Sequence, residues 1–186
     1  MFWRQCKILF QTTASLCYHA TMKIGQYWEP FDFDEIAAGK SFADLVSVAL
    51  AVLKKMPQPV SLVSGPVTSG GKGSVEENMK VFEHAIHVLE KKGETVFSQL
   101  PFEPKFSELA KNWKQEYCTP ILDDFYLPIL KSGLIKKVWF IPGWEGSIGS
   151  KWEYDLCGKL GIERILIKEE MLDPKASSKN VKKAKN

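Results

Sequence analysis

The chain has 186 residues, of which 45% are hydrophobic and 25% charged, with a net charge of +3. These proportions exclude a wholly disordered, collagenous or coiled-coil polypeptide, and the length suits one domain with tails. The charge is uneven: residues 173–186 hold five lysines against Asp173, residues 1–28 hold Arg4, Lys7 and Lys23 with no acid, and 29–172 carries a net −4. No basic face on a folded domain follows from these counts, so nucleic acid is not an expected partner.

Residues 1–28 read as a leader. Phe2, Trp3, Ile8, Leu9 and Phe10 alternate with Thr12, Thr13 and Ser15, too broken for a secretory signal and only faintly like an organellar transit peptide. Translation starting at Met22 is the alternative reading. From about Asp34, Phe42, Leu45, Val46, Ala49, Val52 and Leu53 recur at helical spacing until Pro57 and Pro59 end the helix. No apolar run approaches the ~18–20 residues that cross a bilayer, and no membrane is expected. Val60–Ser64 predicts a short buried strand running into a glycine-rich loop, Gly65–Ser74.

The next helix starts with Ser74 and Glu77 at capping-box spacing, carries an apolar stripe of Met79, Phe82, Ile86 and Leu89, and is capped by Gly93. Thr95–Phe97 is the second strand, 99–106 a proline-containing loop, and 107–131 mostly helix broken near Pro120 and Pro128. Lys137–Ile141 is the third strand and enters a second turn, Pro142–Gly149. A helix from about Ser150 to Leu160 closes at Gly161, and Arg164–Ile167 is the fourth strand. The composition of 173–186 predicts a disordered lysine-rich tail, which leaves 29–172 as the domain.

Short apolar strands alternating with helices imply parallel βαβ units in a three-layer α/β/α sandwich. Ligands of such sheets sit beyond the carboxyl ends of the strands, at a switch point. Both glycine-rich loops follow strands, so both are expected at that edge.

Loop one offers backbone N–H groups at a helix N-terminus, and Gly71, Lys72 and Ser74 are its candidate phosphate ligands. It matches neither a Walker A loop nor GxGxxG, and a plain surface loop is the rival reading. Loop two reads Ser147-x-Gly149-x-x-x-Glu153 into a helix. Glu153 is expected in the first turn or so, kept ionised by the helix dipole and available as a nucleophile for glycosyl chemistry. The plainer reading is a glutamate stabilising its own helix. Trp144 and Trp152 flank this loop and are candidates to stack a base, whereas Trp139 belongs to a strand. His84 and His87 lack further ligands, and Cys6, Cys17, Cys118 and Cys157 are far apart with no CxxC. No metal, cofactor or disulfide framework is expected, and a reducing, cytoplasmic location fits.

The segments Leu62–Pro66, Gly93–Val96, Ile141–Glu153 and Leu160–Gly161 occur in this order and spacing. Together, over roughly residues 58–168, they resemble the nucleoside 2-deoxyribosyltransferase-like superfamily, nearest a branch with a PGWxxSxGxxxE second loop. The chain is also similar to the 2′-deoxynucleoside 5′-monophosphate N-hydrolases, which share the SxGxxxE spacing. The resemblance implies a flavodoxin-like fold with a parallel sheet of four to five strands. It implies cleavage of the N-glycosidic bond of a nucleoside or nucleotide, by hydrolysis or deoxyribosyl transfer, in a homo-oligomer. Glu153 falls on the nucleophile and Ser147 on a substrate-binding serine. Ser64, Gly65 and Pro66 of the first loop, with Gly143, Trp144 and Gly149 of the second, complete the implied substrate contacts. The chain departs from the family pattern at Leu62, Leu134 and Ser150, where relatives carry tyrosine, aspartate and alanine. Asp123 and Asp124 are candidate replacements for the aspartate. Those departures frame the alternative: a non-catalytic nucleotide or nucleotide-sugar binding module of the same fold.

Overall fold

A computed structural model describes residues 26–172 except Ser69 and Glu116. The expected start of the chain, its leader and its lysine-rich tail lie outside these residues, apart from the last leader positions. Of those, Tyr27 and Trp28 pack on the core, Trp28 stacking on Phe97 at 5.9 Å and meeting Phe102 edge-on at 5.6 Å. The packed domain takes in both residues.

Helix α1 spans Pro30–Ala38 and α2 Phe42–Lys55. Gly39 and Ser41 separate them: Ser41 Oγ accepts from Asp44 N–H, and the Asp44 carboxylate accepts from Ser41 N–H, restarting the helix. Strand β1 is Val60–Ser64 and α3 is Val75–Lys91, capped by Ser74 Oγ accepting from Glu77 N–H. Strand β2 is Thr95–Phe97. The predicted loop at 99–106 is instead a single 3-10 turn, Leu100–Phe102, followed by helix α4, Glu103–Ala110. Pro104 sits in the first turn of α4, where no N–H is needed, so the proline that suggested a loop starts a helix.

The predicted 107–131 helix is also divided. Beyond α4 comes a non-helical stretch, then a π-helical turn, Ile121–Tyr126, continuing as α5, Leu127–Lys131. The change from π to α geometry falls beside Pro128, in the opening turn of α5, so the expected break there is a change of helix type within one continuous run. Strand β3 is Ile135–Phe140, α6 Ile148–Leu160, β4 Glu163–Leu166 and α7 Glu169–Leu172. Gly161 closes α6 in the left-handed region (φ +70°).

The four strands are all parallel in the order β2-β1-β3-β4. This is the α/β fold expected, a flavodoxin-like three-layer arrangement. All five residues of β1 are buried, as an interior parallel strand covered on both faces requires. Leu62 points into a core shared with α2, the π turn and α6, and Val63 into a second core under α3 (Phe82, Ala85, Ile86, Leu89). In the larger core, Phe125 packs 4.9 Å from Phe102 and 4.8 Å from Phe106. These rings fix α4 against the π turn, and Phe125→Ala would cost ~3–5 kcal/mol. Strand order reverses between β1 and β3, so the switch point lies at Ser64 and Phe140.

Among the described residues no helix is long and apolar enough to cross a membrane.

Candidate active site

Each loop leaves a strand at the switch point, and the two touch. A Cβ on Gly65 would lie 2.9 Å from Ile141, and one on Gly70 would lie 3.0 Å from the Gly146 carbonyl oxygen. Between these loops, α4 and the π turn lies a narrow cleft with a cavity of about 60 Å³, room for a few waters. Gly65, Ser147, Gly149 and Glu153 line it, together with Glu103, Gln99, Ser150, Tyr117 and Tyr126. Val67, Phe82, Phe106, Ile121 and Leu122 supply apolar wall.

Glu153 lies in the second turn of α6, not the first, and is 6% exposed. Its one hydrogen-bond partner given by the structure is Ser64, whose hydroxyl donates to the carboxylate at 2.5 Å. Glu153 thus lies beyond the first turn, where the helix dipole was expected to hold it ionised. Burial disfavours the charge and raises the carboxyl to about 7, with the Ser64 hydrogen bond pulling the other way. The dipole's effect fades within the first turn, and desolvation wins.

Glu103, the first residue of α4, is likewise raised to about 7, by burial and then by repulsion from Glu153. The phenols of Tyr117 and Tyr126 are pushed up as well, first by burial and then by these two carboxylates. On the far side of α6 from solvent, burial first and Glu153 second push the Cys157 thiol up to about 12.

Two buried polar atoms in the cleft have no hydrogen-bond partner. Gln99 is 3% exposed; its Nε2 donates to the Val63 carbonyl at 2.9 Å, while Oε1 meets nothing. Ser150 is 1% exposed, and its hydroxyl is also unpaired. A buried polar atom left alone costs ~1–3 kcal/mol, so the cleft retains hydrogen-bonding capacity that the protein itself does not use.

The remaining predicted residues are placed elsewhere or used differently. Ser147 caps α6, its Oγ accepting from Ser150 N–H at 3.3 Å. Gly149 leaves room for Tyr117: a Cβ there would meet the phenol oxygen, which would have to shift. Pro66, Gly71, Lys72 and Ser74 do not line the cleft. Lys72 N–H donates to Asn78 Oδ1 at 2.7 Å, Asn78 Nδ2 donates to the carbonyls of Val67 and Gly70, and Ser74 caps α3. Gly143 takes a left-handed conformation ahead of a 3-10 turn. Trp144 stacks on Tyr154, with centroids 4.3 Å apart, and neither it nor Trp152 reaches the cleft; Phe82, Phe106, Tyr117 and Tyr126 are its aromatic groups. Asp123 and Asp124 are exposed and outside the lining, Leu62 is core and Leu134 is half-buried. His84 Nε2 contacts the Leu172 carbonyl at 2.9 Å, and the described residues contain no cluster able to hold a metal.

Sequence reasoning missed Glu103, Gln99, Tyr117 and Tyr126. Glu103 carried one usable signal, an acid immediately before a proline at a helix start.

Comparisons with known protein families, with characterised proteins and with solved structures give no match.

Proposed function

We propose that the protein cleaves an N-glycosidic bond of a nucleoside, with Glu153 as nucleophile, by hydrolysis or deoxyribosyl transfer. The observation that carries this reading is Glu153 itself: a carboxylate buried at the switch point, hydrogen-bonded by Ser64, in a cleft with unpaired polar atoms. A carboxylate out of water, oriented by one donor, suits attack on an anomeric carbon with oxocarbenium character. Gln99 Oε1 and the Ser150 hydroxyl suit the sugar's hydroxyl groups. Among the described residues no lysine, arginine or histidine lines the cleft, which favours an uncharged nucleoside over its monophosphate. Assembly as a homo-oligomer belongs to the same reading.

A cavity of about 60 Å³ admits a nucleoside only if lining side chains move aside. That tightness favours a second reading, a module that binds a smaller polar group and performs no chemistry.

Incubating the purified chain with 2′-deoxynucleosides and their 5′-monophosphates, and assaying free base, separates the two. Base release that is lost in Glu153→Ala supports the enzyme. Equal background rates in wild type and Glu153→Ala, with a ligand still raising the melting temperature, support the module.

A further inference from the structure

We propose that Glu103 is the second catalytic group of this cleft, the acid that protonates the leaving base and then the base that activates water. The proposal rests on the N-glycosidase reading and assigns a role to a residue outside both glycine-rich loops.

The fold brings the two carboxyls to one cleft. Glu103 opens α4, whose start is held by the stacking of Phe102 on Phe106 at 5.9 Å, and Glu153 comes from α6. The charged and titratable groups facing Glu103 are Glu153, Tyr117 and Tyr126. Lys105, on the same helix, is turned away into an ion pair with Glu108 at 3.0 Å, so no cation neutralises the pair. Two carboxyls in a dry cleft without a cation do not both ionise readily. The Ser64 hydroxyl donates to Glu153 and not to Glu103, which selects Glu153 as the ionised member and leaves the proton on Glu103. Burial raises both groups toward neutrality, and repulsion from Glu153 adds to it at Glu103 alone, in support of that assignment.

The unpaired Gln99 Oε1 and Ser150 hydroxyl, both more than nine-tenths buried and in the same cleft, mark it as a place for a polar ligand. The steps balance. A Glu153 oxygen bonds to the anomeric carbon as the C–N bond breaks. The electron pair passes to the base nitrogen, and the base takes the Glu103 proton. Water then attacks the anomeric carbon of the ester and gives a proton to the Glu103 carboxylate. The ester C–O bond breaks, restoring the Glu153 carboxylate.

The test pairs two substrates in wild type, Glu103→Gln, Glu103→Asp and Glu153→Gln. One is a 2′-deoxynucleoside with a neutral base; the other is 7-methyl-2′-deoxyguanosine, whose cationic base leaves without a proton. We expect Glu103→Gln to slow release of the neutral base by ~10²–10⁴-fold and of the cationic base by less than ~10-fold. Glu103→Asp should restore part of the first loss, and Glu153→Gln should abolish both reactions. Equal loss on both substrates, or no loss on either, overturns the role of Glu103 while leaving the glycosidase reading intact. A wild type inert on both overturns the glycosidase reading. The proton is then sought directly, as the infrared carbonyl band of a protonated carboxyl at pH 6. A band that Glu103→Gln weakens more than Glu153→Gln does upholds Glu103 as the proton holder, and the reverse pattern overturns it.

Discussion

The hydroxyl of Ser64, the last residue of β1, donates a 2.5 Å hydrogen bond to Glu153, in the second turn of α6. It is the one polar contact that counters the burial of this carboxylate, and it joins the two loops chemically as well as spatially.

Ser64→Ala tests it. Hydrogen bonds to a charged group contribute ~1.5–3 kcal/mol, and this one favours the ionised carboxylate. Its removal should push Glu153 further up. The acid limb of the pH–rate profile for base release should move to higher pH, with activity at pH 6 falling more than at pH 8. An unmoved limb would show that Ser64 does not tune the carboxylate.

Stability should depend on pH through Glu103, the member of the pair that keeps its proton. The folded chain holds this proton more tightly than the unfolded chain, with a folded value of about 7 against 4.5. The advantage is therefore fully present below pH 4.5 and is lost as pH rises through about 7. The change corresponds to roughly 3 kcal/mol, or roughly 5–10 °C in melting temperature for a domain of this size. Melting curves from pH 5 to 8 should fall less steeply for Glu103→Gln than for wild type. Equal slopes would contradict the assignment.

Gly149→Ala should disturb Tyr117. The added Cβ collides with the phenol oxygen, and the cost should be ~1–3 kcal/mol by the usual penalty for overpacking. Tyr117→Phe removes the atom in the way. The double variant should recover most of the loss in urea denaturation, whereas additive losses would mean that Gly149 is needed for another reason.

Asn78→Ala should loosen loop one. The side chain, 4% exposed, accepts from Lys72 N–H and donates to the carbonyls of Val67 and Gly70. Losing these bonds should cost ~1–3 kcal/mol in denaturant midpoint experiments. Amide exchange should accelerate at Lys72 before it does in β1. A uniform change would place the role of Asn78 in the global fold.

The sequence made the sheet legible because its strands are short, apolar and bounded. Val60–Ser64 and Thr95–Phe97 were readable to the residue, and Ser74 and Gly161 marked helix ends, whereas the helix read from about Ser150 begins at Ile148 with Ser147 as its cap. Glu153 was legible because its loop and helix are contiguous. Glu103 and Tyr117 were not: neither sits in a periodic stretch, and only the packing of α4 and the π turn brings them to the switch point. Pro101 and Pro104 disguised the start of α4 as a loop. The phosphate reading of loop one failed to foresee Asn78, because a side chain six residues beyond Lys72 satisfies the amide that seemed available.

Because β1 lies beside β3, the contact between Ser64 and Glu153, 89 residues apart in sequence, depends on β3 docking on β1, where Ser64 pairs with Phe140. Loop-closure entropy must be overcome before such distant pairings are rewarded. A fragment ending before α6, or an intermediate in which β3 has not docked on β1, can keep helices and the β1–β2 pairing and still have no site. A perturbed Glu153 carboxyl is thus a reporter of completed folding, and its loss on heating would give early notice that the two halves of the sheet have parted.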